Sequence, residues 1–160
     1  MRRKPEQQRE AALFDTHGFT QYLVSMKASS VKETVLANEL FAAHSATPLH
    51  LGVTEAGPLV SGIVKSALAF SQLLERNIGA TVRVSLSDTM ENEVIAAREI
   101  LTECGKRQGG IRLVSCPRCG RNGFDVHGFV VRWQHRLFAE KKDLTVAVMG
   151  CVVNGPGEGR

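Results

Sequence analysis

Three cysteines carry the clearest chemical signal in this sequence. Cys116 and Cys119 enclose a Pro-Arg dipeptide, and Cys151 follows 32 residues after Cys119. In a reducing compartment, such a Cys-x-x-Cys pair holds a metal or performs redox chemistry more often than it forms a structural disulfide. On spacing alone, a zinc knuckle is favoured over an iron–sulfur cluster, and a catalytic dithiol comes third. The residues leave open which side chain is the fourth ligand, the candidates being Cys104, His127, His135 and Glu158.

A second set of polar residues recurs at regular intervals. Lys27, Glu55 and Arg83 are spaced 28 residues apart, and each follows or ends a short apolar run. Equal spacing predicts that they occupy the same place in successive strand–helix units, with His50, Ser85 and Lys65 nearby. Such a group would combine cations that hold an anion with a carboxylate that moves a proton. The alternative is three solvated strand ends with no shared role.

The elements that must position these residues alternate between strand and helix. Short apolar runs predict strands, and apolar residues at helical spacing predict helices between them. Ser30 with Glu33, and Asp88 with Glu91, are predicted capping boxes that open two of the helices. The predicted strands cover residues 22–27, 48–54, 81–86 and 111–115, with a further apolar run at 144–149, and the predicted helices cover 30–44, 61–76, 88–104 and 126–139. This order predicts an α/β fold with a parallel sheet.

Composition and charge exclude several classes of protein. The chain has 160 residues, of which 43% are hydrophobic and 22% charged, as expected of a globular protein. Its net charge of +4 comes from scattered residues, which favours a small anionic ligand over a nucleic acid. We expect neither a membrane span nor a signal peptide, because no apolar run approaches about 18 residues and the first ten residues are polar. The expected location is the cytoplasm, or the stroma in a plastid-bearing source. Neither a G-x-G-x-x-G nor a G-x-x-x-x-G-K-[ST] motif occurs.

Four motifs, in order, resemble those of the hydroxymethylbutenyl diphosphate synthases, the IspG or GcpE family. They are HLGVTEAG at residues 50–57, TVRVSL at 81–86, SCPRCGR at 115–121 and MGCVVNGPGE at 149–158. The resemblance runs from about residue 19 to the last residue. It implies an iron–sulfur oxidoreductase of isoprenoid biosynthesis that opens methylerythritol cyclodiphosphate reductively to hydroxymethylbutenyl diphosphate. Flavodoxin or ferredoxin would be the electron donor, and the full-length form would be a homodimer.

The resemblance also implies roles for individual residues. Cys116, Cys119, Cys151 and Glu158 would hold a [4Fe-4S] cluster, which leaves Cys104 out. The substrate diphosphate would be bound by Lys27, Arg83 and Ser85. Glu55 would be the catalytic carboxylate beside the reacting carbons.

The length of the chain sets it apart from this family. A TIM barrel alone takes about 250 residues, whereas this chain offers three or four strand–helix units before the cysteine motif. We therefore expect a lead-in at residues 1–18, the C-terminal part of a TIM barrel at 19–108 and the start of a small α/β iron–sulfur domain at 109–160. The chain is expected to be a fragment that is incomplete for catalysis. The rival hypotheses are a small structural zinc-binding module and a non-catalytic remnant.

Overall fold

The computed structural model describes residues 6–151, which alternate between helices and short strands as the sequence predicts. The elements in chain order are α1 (Glu6–Thr16), α2 (Val31–Ala42), β1 (His50–Gly52), α3 (Leu59–Glu75), β2 (Thr81–Arg83), α4 (Met90–Glu103), β3 (Ile111–Ser115), α5 (Val126–Ala139) and β4 (Leu144–Val148). The chain divides into two compact units, residues 1–107 and 108–160. The α/β class is confirmed, and each unit is described by itself.

The sheet of the first unit is built from three parallel chain segments. β1 pairs with β2, with Gly52 opposite Arg83. On the other side of β1, Val24 forms a parallel bridge with Leu49. At this bridge His50 N, one residue after Leu49, donates to Val24 O at 2.8 Å. Four residues further along, Thr54 N donates to Ala28 O in the same way, at 2.9 Å, which places Ala28 level with Val53. The offset of 25 residues between level residues therefore holds at both ends of the contact. The segment around Lys27 therefore runs beside β1 in a fixed register.

One face of this sheet packs against the helices of the first unit. Leu51, Phe70 and Leu73 are completely buried between β1 and α3. Apolar residues in α3 recur three and four positions apart, which gives the helix one continuous face to bury. The alternate strand residues point away from this core, because side chains of a strand alternate between its two faces.

The first predicted strand, at residues 22–27, is reduced to the single bridge at Val24. Its ladder is interrupted at Met26, because the carbonyl that would accept from Gly52 N in this register bonds instead to a side chain of α2. Asn38 Nδ2 donates to Met26 O at 2.7 Å, and Thr34 Oγ1 donates to Ala28 O at 3.1 Å. The strand predicted at 81–86 likewise stops at Arg83.

Of the two predicted capping boxes, only the first opens its helix as expected. Ser30 Oγ accepts from Glu33 N at 3.2 Å, at the start of α2. The capping residue of α4 is Thr89, whose hydroxyl accepts from Asn92 N, rather than the predicted Asp88. The Asp88 carboxylate accepts instead from Thr89 N and from the Asn92 side chain, and these bonds lower the pKa of Asp88.

The second unit contains a parallel pair of strands covered by one helix. β3 and β4 pair from Ile111 opposite Leu144 to Ser115 opposite Val148. The helix α5 lies between them in the chain and packs against β3. The C-terminal ends of β3 and β4 therefore lie side by side, and the chain leaves both strands at the same edge.

The strands described in residues 6–151 form two separate two-stranded sheets, without a closed barrel among them. Across the same residues, every helix is too short or too polar to span a membrane.

Candidate functional site

Two cations and a glycine form a row across the solvent-facing side of the first sheet. The register places Lys27, Gly52 and Arg83 next to one another on adjacent segments. The end of the Lys27 side chain lies over the central strand, because its Cε and Nζ are 2.9 and 3.2 Å from the point where a Cβ on Gly52 would stand. Lys27 and Arg83 are exposed. The row therefore presents two positive charges on one polar face.

A second row lies one pleat earlier on the same face. Ser25, His50 and Thr81 are neighbours in the same register. The His50 ring bonds through Nδ1 to Thr81 Oγ1 at 2.8 Å, and Ser25 Oγ donates to the His50 carbonyl at 3.0 Å. Partial burial lowers the pKa of His50, and the charges of Lys27 and Arg83 lower it further. His50 is therefore held as a neutral hydrogen-bonding group beside two cations.

The backbone on both sides of Lys27 is anchored by α2. Thr34 and Asn38 are one helical turn apart and fully buried. Their side chains donate to the carbonyl groups of Ala28 and Met26, the two residues that flank Lys27. Because buried polar side chains of this kind fix a unique local geometry, the position of Lys27 depends on α2 as well as on the strand.

The register corrects the prediction that Lys27, Glu55 and Arg83 occupy equivalent places. The residue level with Lys27 and Arg83 is Gly52, and Glu55 lies three residues further along the chain. Equal spacing misleads here because connections of unequal length offset the strands by 25 residues on one side of β1 and 31 on the other. Glu55 stands exposed in the turn after β1, with a left-handed φ of 52°.

Two other residues of the predicted group also lie outside the cationic row. Ser85 follows Arg83 by two residues and is partly exposed, beyond the end of β2. Lys65 belongs to α3, which packs against the opposite, apolar face of the sheet. Of the predicted group, therefore, Lys27 and Arg83 lie level with each other on the polar face, and His50 lies in the neighbouring row.

The cysteine turns meet at the edge where β3 and β4 end. Cys116 N donates to Val148 O at 3.2 Å, and Gly150 N donates to Cys116 Sγ at 2.9 Å. The loop after Cys119 returns to the same place, where Gly123 N and Phe124 N both donate to Gly150 O. Cys116 is therefore fixed against the residue that precedes Cys151.

This edge has several properties expected of a thiolate-bound metal centre. None of the four cysteines, all of which lie in the described part of the chain, forms a disulfide. A backbone N–H already donates to Cys116 Sγ, as amide groups do to the sulfurs of iron–sulfur clusters. The amide oxygen of Asn122 is buried beside Gly150 without a hydrogen-bond partner among the described residues. The three thiols of Cys116, Cys119 and Cys151 are therefore suitable ligands for a metal ion or an iron–sulfur cluster.

The ligands are nevertheless not preassembled around a common centre. Within residues 6–151, no three His, Cys, Asp or Glu side chains form a group able to hold a metal. Cys119 is exposed. Glu158, predicted as the fourth ligand, lies outside the described residues.

The other candidates for a fourth ligand have different surroundings. Cys104 caps the end of α4 and packs against the core of the first unit. Its burial raises the pKa of the thiol, the nearby Glu103 raises it further, and Lys106 acts in the opposite direction. His127 and His135 lie exposed on α5.

Comparison with known protein families accounts for nearly the whole chain. Residues 6–98 match the family model described as the GcpE TIM-barrel domain. Residues 112–160 match the model of the GcpE protein C-terminal domain.

The chain belongs to the GcpE family.

Curated relatives agree with this assignment. A protein of Treponema pallidum (strain Nichols) is 77% identical over 151 residues, which are 94% of this chain and 37% of that protein. A protein of Treponema denticola is 70% identical over 152 residues, 95% of this chain and 39% of that protein. One of Thermotoga maritima is 46% identical over 151 residues, 94% of this chain and 44% of that protein. All three are named 4-hydroxy-3-methylbut-2-en-1-yl diphosphate synthase (flavodoxin). The chain thus spans about two fifths of the length of these GcpE relatives.

Reasoning from the sequence missed the residues that support the cationic row. Gly52, Thr34 and Asn38 belong to no motif of charged or nucleophilic side chains. The alternation of side chains along a strand indicates that Gly52 shares a face with His50. Placing it level with Lys27 and Arg83 requires the register as well, which the sequence does not give.

Proposed function

We propose that this chain carries out part of the reductive opening of methylerythritol cyclodiphosphate to hydroxymethylbutenyl diphosphate, in isoprenoid biosynthesis. In this reaction two electrons from an external donor and two protons are consumed: a ring carbon–oxygen bond of the cyclic diphosphate breaks, the hydroxyl group on the adjacent carbon leaves as water, and a carbon–carbon double bond forms. The names of the curated relatives support the diphosphate product and flavodoxin as the donor. The meeting of the two cysteine turns at Gly150 carries the proposal, because it brings thiol ligands from separate strands to one edge.

In this proposal, the cationic row binds the diphosphate. Lys27 and Arg83 face solvent on the same side of the sheet, on the two segments that flank β1, so one polyanion can contact both. His50 stays neutral beside them and can donate or accept a hydrogen bond. Ser85 adds a hydroxyl beyond the end of β2.

Glu55 is proposed as the carboxylate beside the reacting carbons. Its left-handed backbone is uncommon for a residue with a long side chain, and such strained conformations cluster at functional sites. The turn places Glu55 beyond the cationic row and leaves its carboxylate exposed. It would therefore act on the part of the substrate that extends past the diphosphate.

The second unit is proposed as the start of an iron–sulfur domain, in which Cys116, Cys119, Cys151 and Glu158 hold a [4Fe-4S] cluster. When bound, such a cluster passes electrons from the donor to the substrate. The N–H of Gly150 would donate to the Cys116 sulfur in the bound cluster, and hydrogen bonds to cluster sulfurs tune the reduction potential.

The wider assignment consists of predictions that extend beyond this chain. Residues 19–108 are proposed as strand–helix units of a TIM barrel, with further substrate-binding groups in the part of the relatives that the chain does not match. Flavodoxin or ferredoxin as donor, a homodimer and a cytoplasmic location stay predictions.

Metal analysis tests the proposal. The chain is purified and reconstituted without oxygen, and iron, zinc and acid-labile sulfide are measured for the wild type and for Cys151→Ala and Cys104→Ala. We expect about four irons with matching sulfide in the wild type, loss of both in Cys151→Ala and retention in Cys104→Ala. One tightly bound zinc without sulfide would refute the cluster assignment and support a structural zinc module.

A further inference from the structure

We propose that Gly52 is a positioning residue of the cationic row: the absence of a side chain at this place allows Lys27 to cross the central strand and lie beside Arg83. The consequence for diphosphate binding rests on the function proposed above. The placement of Lys27 itself does not, and it can be tested separately.

The geometry around Gly52 leaves no space for a methyl group. A Cβ at this position would stand 2.9 Å from Lys27 Cε, 3.2 Å from Lys27 Nζ and 3.4 Å from Arg83 O. Carbon atoms in good contact are about 3.5–4.0 Å apart, so the first two distances are too short. The space that any other residue would fill is occupied by the lysine side chain.

Backbone conformation does not explain the glycine. Gly52 lies within β1, and its φ is outside the left-handed range that favours glycine. A residue with a side chain could adopt this backbone, so the requirement comes from the space above the strand. Gly52 is buried although it lies on the polar face, because Lys27 covers it.

An added methyl group would displace the lysine more readily than the sheet. Arg83 O belongs to the backbone of a paired strand, whereas Lys27 Cε and Nζ end a flexible, exposed side chain. Gly52→Ala should therefore leave the fold nearly intact and turn the ammonium group away from Arg83. The charge would stay on the protein, but the two cations would no longer meet one ligand together.

A double-mutant cycle with inorganic diphosphate as the probe tests this reasoning. The affinities of the wild type, Gly52→Ala, Lys27→Ala and the double variant are measured by calorimetry. We expect Lys27→Ala to weaken binding about tenfold, as for the loss of one charge-assisted hydrogen bond, and Gly52→Ala to weaken it by a similar factor. The double variant should bind no more weakly than Lys27→Ala, because Gly52 acts only through the lysine. Independent losses that multiply in the double variant would overturn the proposal.

The titration of His50 reports the position of Lys27 without any ligand. Because Lys27 is one of the charges that lower the pKa of His50, moving its ammonium group away should raise that pKa toward the usual value. NMR titration of the His50 ring should show an upward shift in Gly52→Ala, in the same direction as in Lys27→Ala. Burial is the larger cause of the lowered pKa, so we expect the shift to be partial.

Gly105→Ala is the matched control. Gly105 has a left-handed φ of 66°, and a Cβ there would meet no atom within 4 Å, so the substitution adds backbone strain away from the cationic row. It should change neither the diphosphate affinity nor the His50 titration. If the wild type fails to bind diphosphate, the proposed function loses its binding site, while the His50 titration still decides the role of Gly52. An unchanged His50 titration in Gly52→Ala would overturn that role.

Discussion

Replacing Asn38 by leucine tests whether a buried side chain of α2 holds the segment that carries Lys27. Asn38 is fully buried, and its Nδ2 donates to Met26 O at 2.7 Å and to Thr34 O at 2.8 Å. Leucine has a similar size but no donor. Thr34 O keeps its bond within α2, because the backbone N–H four residues later still donates to it. Met26 O loses the hydrogen bond from the Asn38 side chain.

The expected cost follows from these contacts. Losing a hydrogen bond and leaving a buried acceptor unsatisfied costs about 1–3 kcal/mol. The asparagine oxygen is itself buried without a partner among the residues that the structure describes, so leucine also removes one unfavourable atom and gains apolar burial. We therefore expect the free energy of unfolding to fall by about 1–2 kcal/mol, near the middle of the range for a broken buried contact.

Urea unfolding followed by circular dichroism measures this change. Asn92→Leu is the control, because Asn92 is also a helical asparagine whose Nδ2 bonds to one acceptor, Asp88, at the surface. Its cost should stay within about 0.5 kcal/mol, as for most surface substitutions. Asn38→Leu should also weaken diphosphate binding, since Lys27 follows Met26 directly. Equal stability losses in the two variants would refute the argument that Asn38 anchors the segment.

Two further perturbations test the surroundings of the cationic row. The lowered pKa of His50 means that the unfolded chain takes up a proton before the folded chain does, so this contribution to stability is complete above about pH 6.5 and is lost as pH falls through the folded pKa. The free energy of unfolding, measured from pH 7.5 to 5, should therefore fall more steeply in the wild type than in His50→Gln, and equal slopes would contradict this. Leu86 N donates to Glu93 Oε1 at 2.8 Å and closes the loop that follows Ser85. Glu93→Ala should lose about 1 kcal/mol more stability in urea than Glu91→Ala, an exposed change in the same first turn, and equal losses would mean that the bond contributes nothing.

The order of helices and strands could be predicted from the sequence because apolar periodicity is a local signal. The capping contact at Ser30 is equally local, since Ser30 and Glu33 lie one turn apart. Both Asp88 and Thr89 are suitable helix caps, and the sequence does not show which hydroxyl or carboxylate meets the open N–H. The length of the first strand was overestimated because the Met26 carbonyl bonds to the Asn38 side chain of α2 and not to the neighbouring strand, which no local pattern reveals.

The candidate site was predicted in its residue types but not in its alignment. Lys27 and Arg83 do lie together, yet the reason given for their proximity, equal spacing with Glu55, is wrong. The register of a parallel sheet depends on the lengths of the connections and on side-chain packing, so spacing along the chain does not determine which residues are level. The cysteine edge was easier to predict, because Cys116 directly follows β3, Cys151 follows β4 by three residues, and parallel strands end at the same edge.

The strand alternation explains how a short chain segment can serve both the core and the cationic row. In β1, Leu51 is buried against α3, while His50 and Gly52 on either side of it face the polar side. Packing of the apolar face fixes the register, and a slip of one residue would exchange the two faces. The same packing that stabilises the first unit therefore also places Lys27, Gly52 and Arg83 level with one another. Substitutions in the core that preserve volume should leave this alignment intact, whereas those that shift β1 against β2 should separate the two cations without touching either of them.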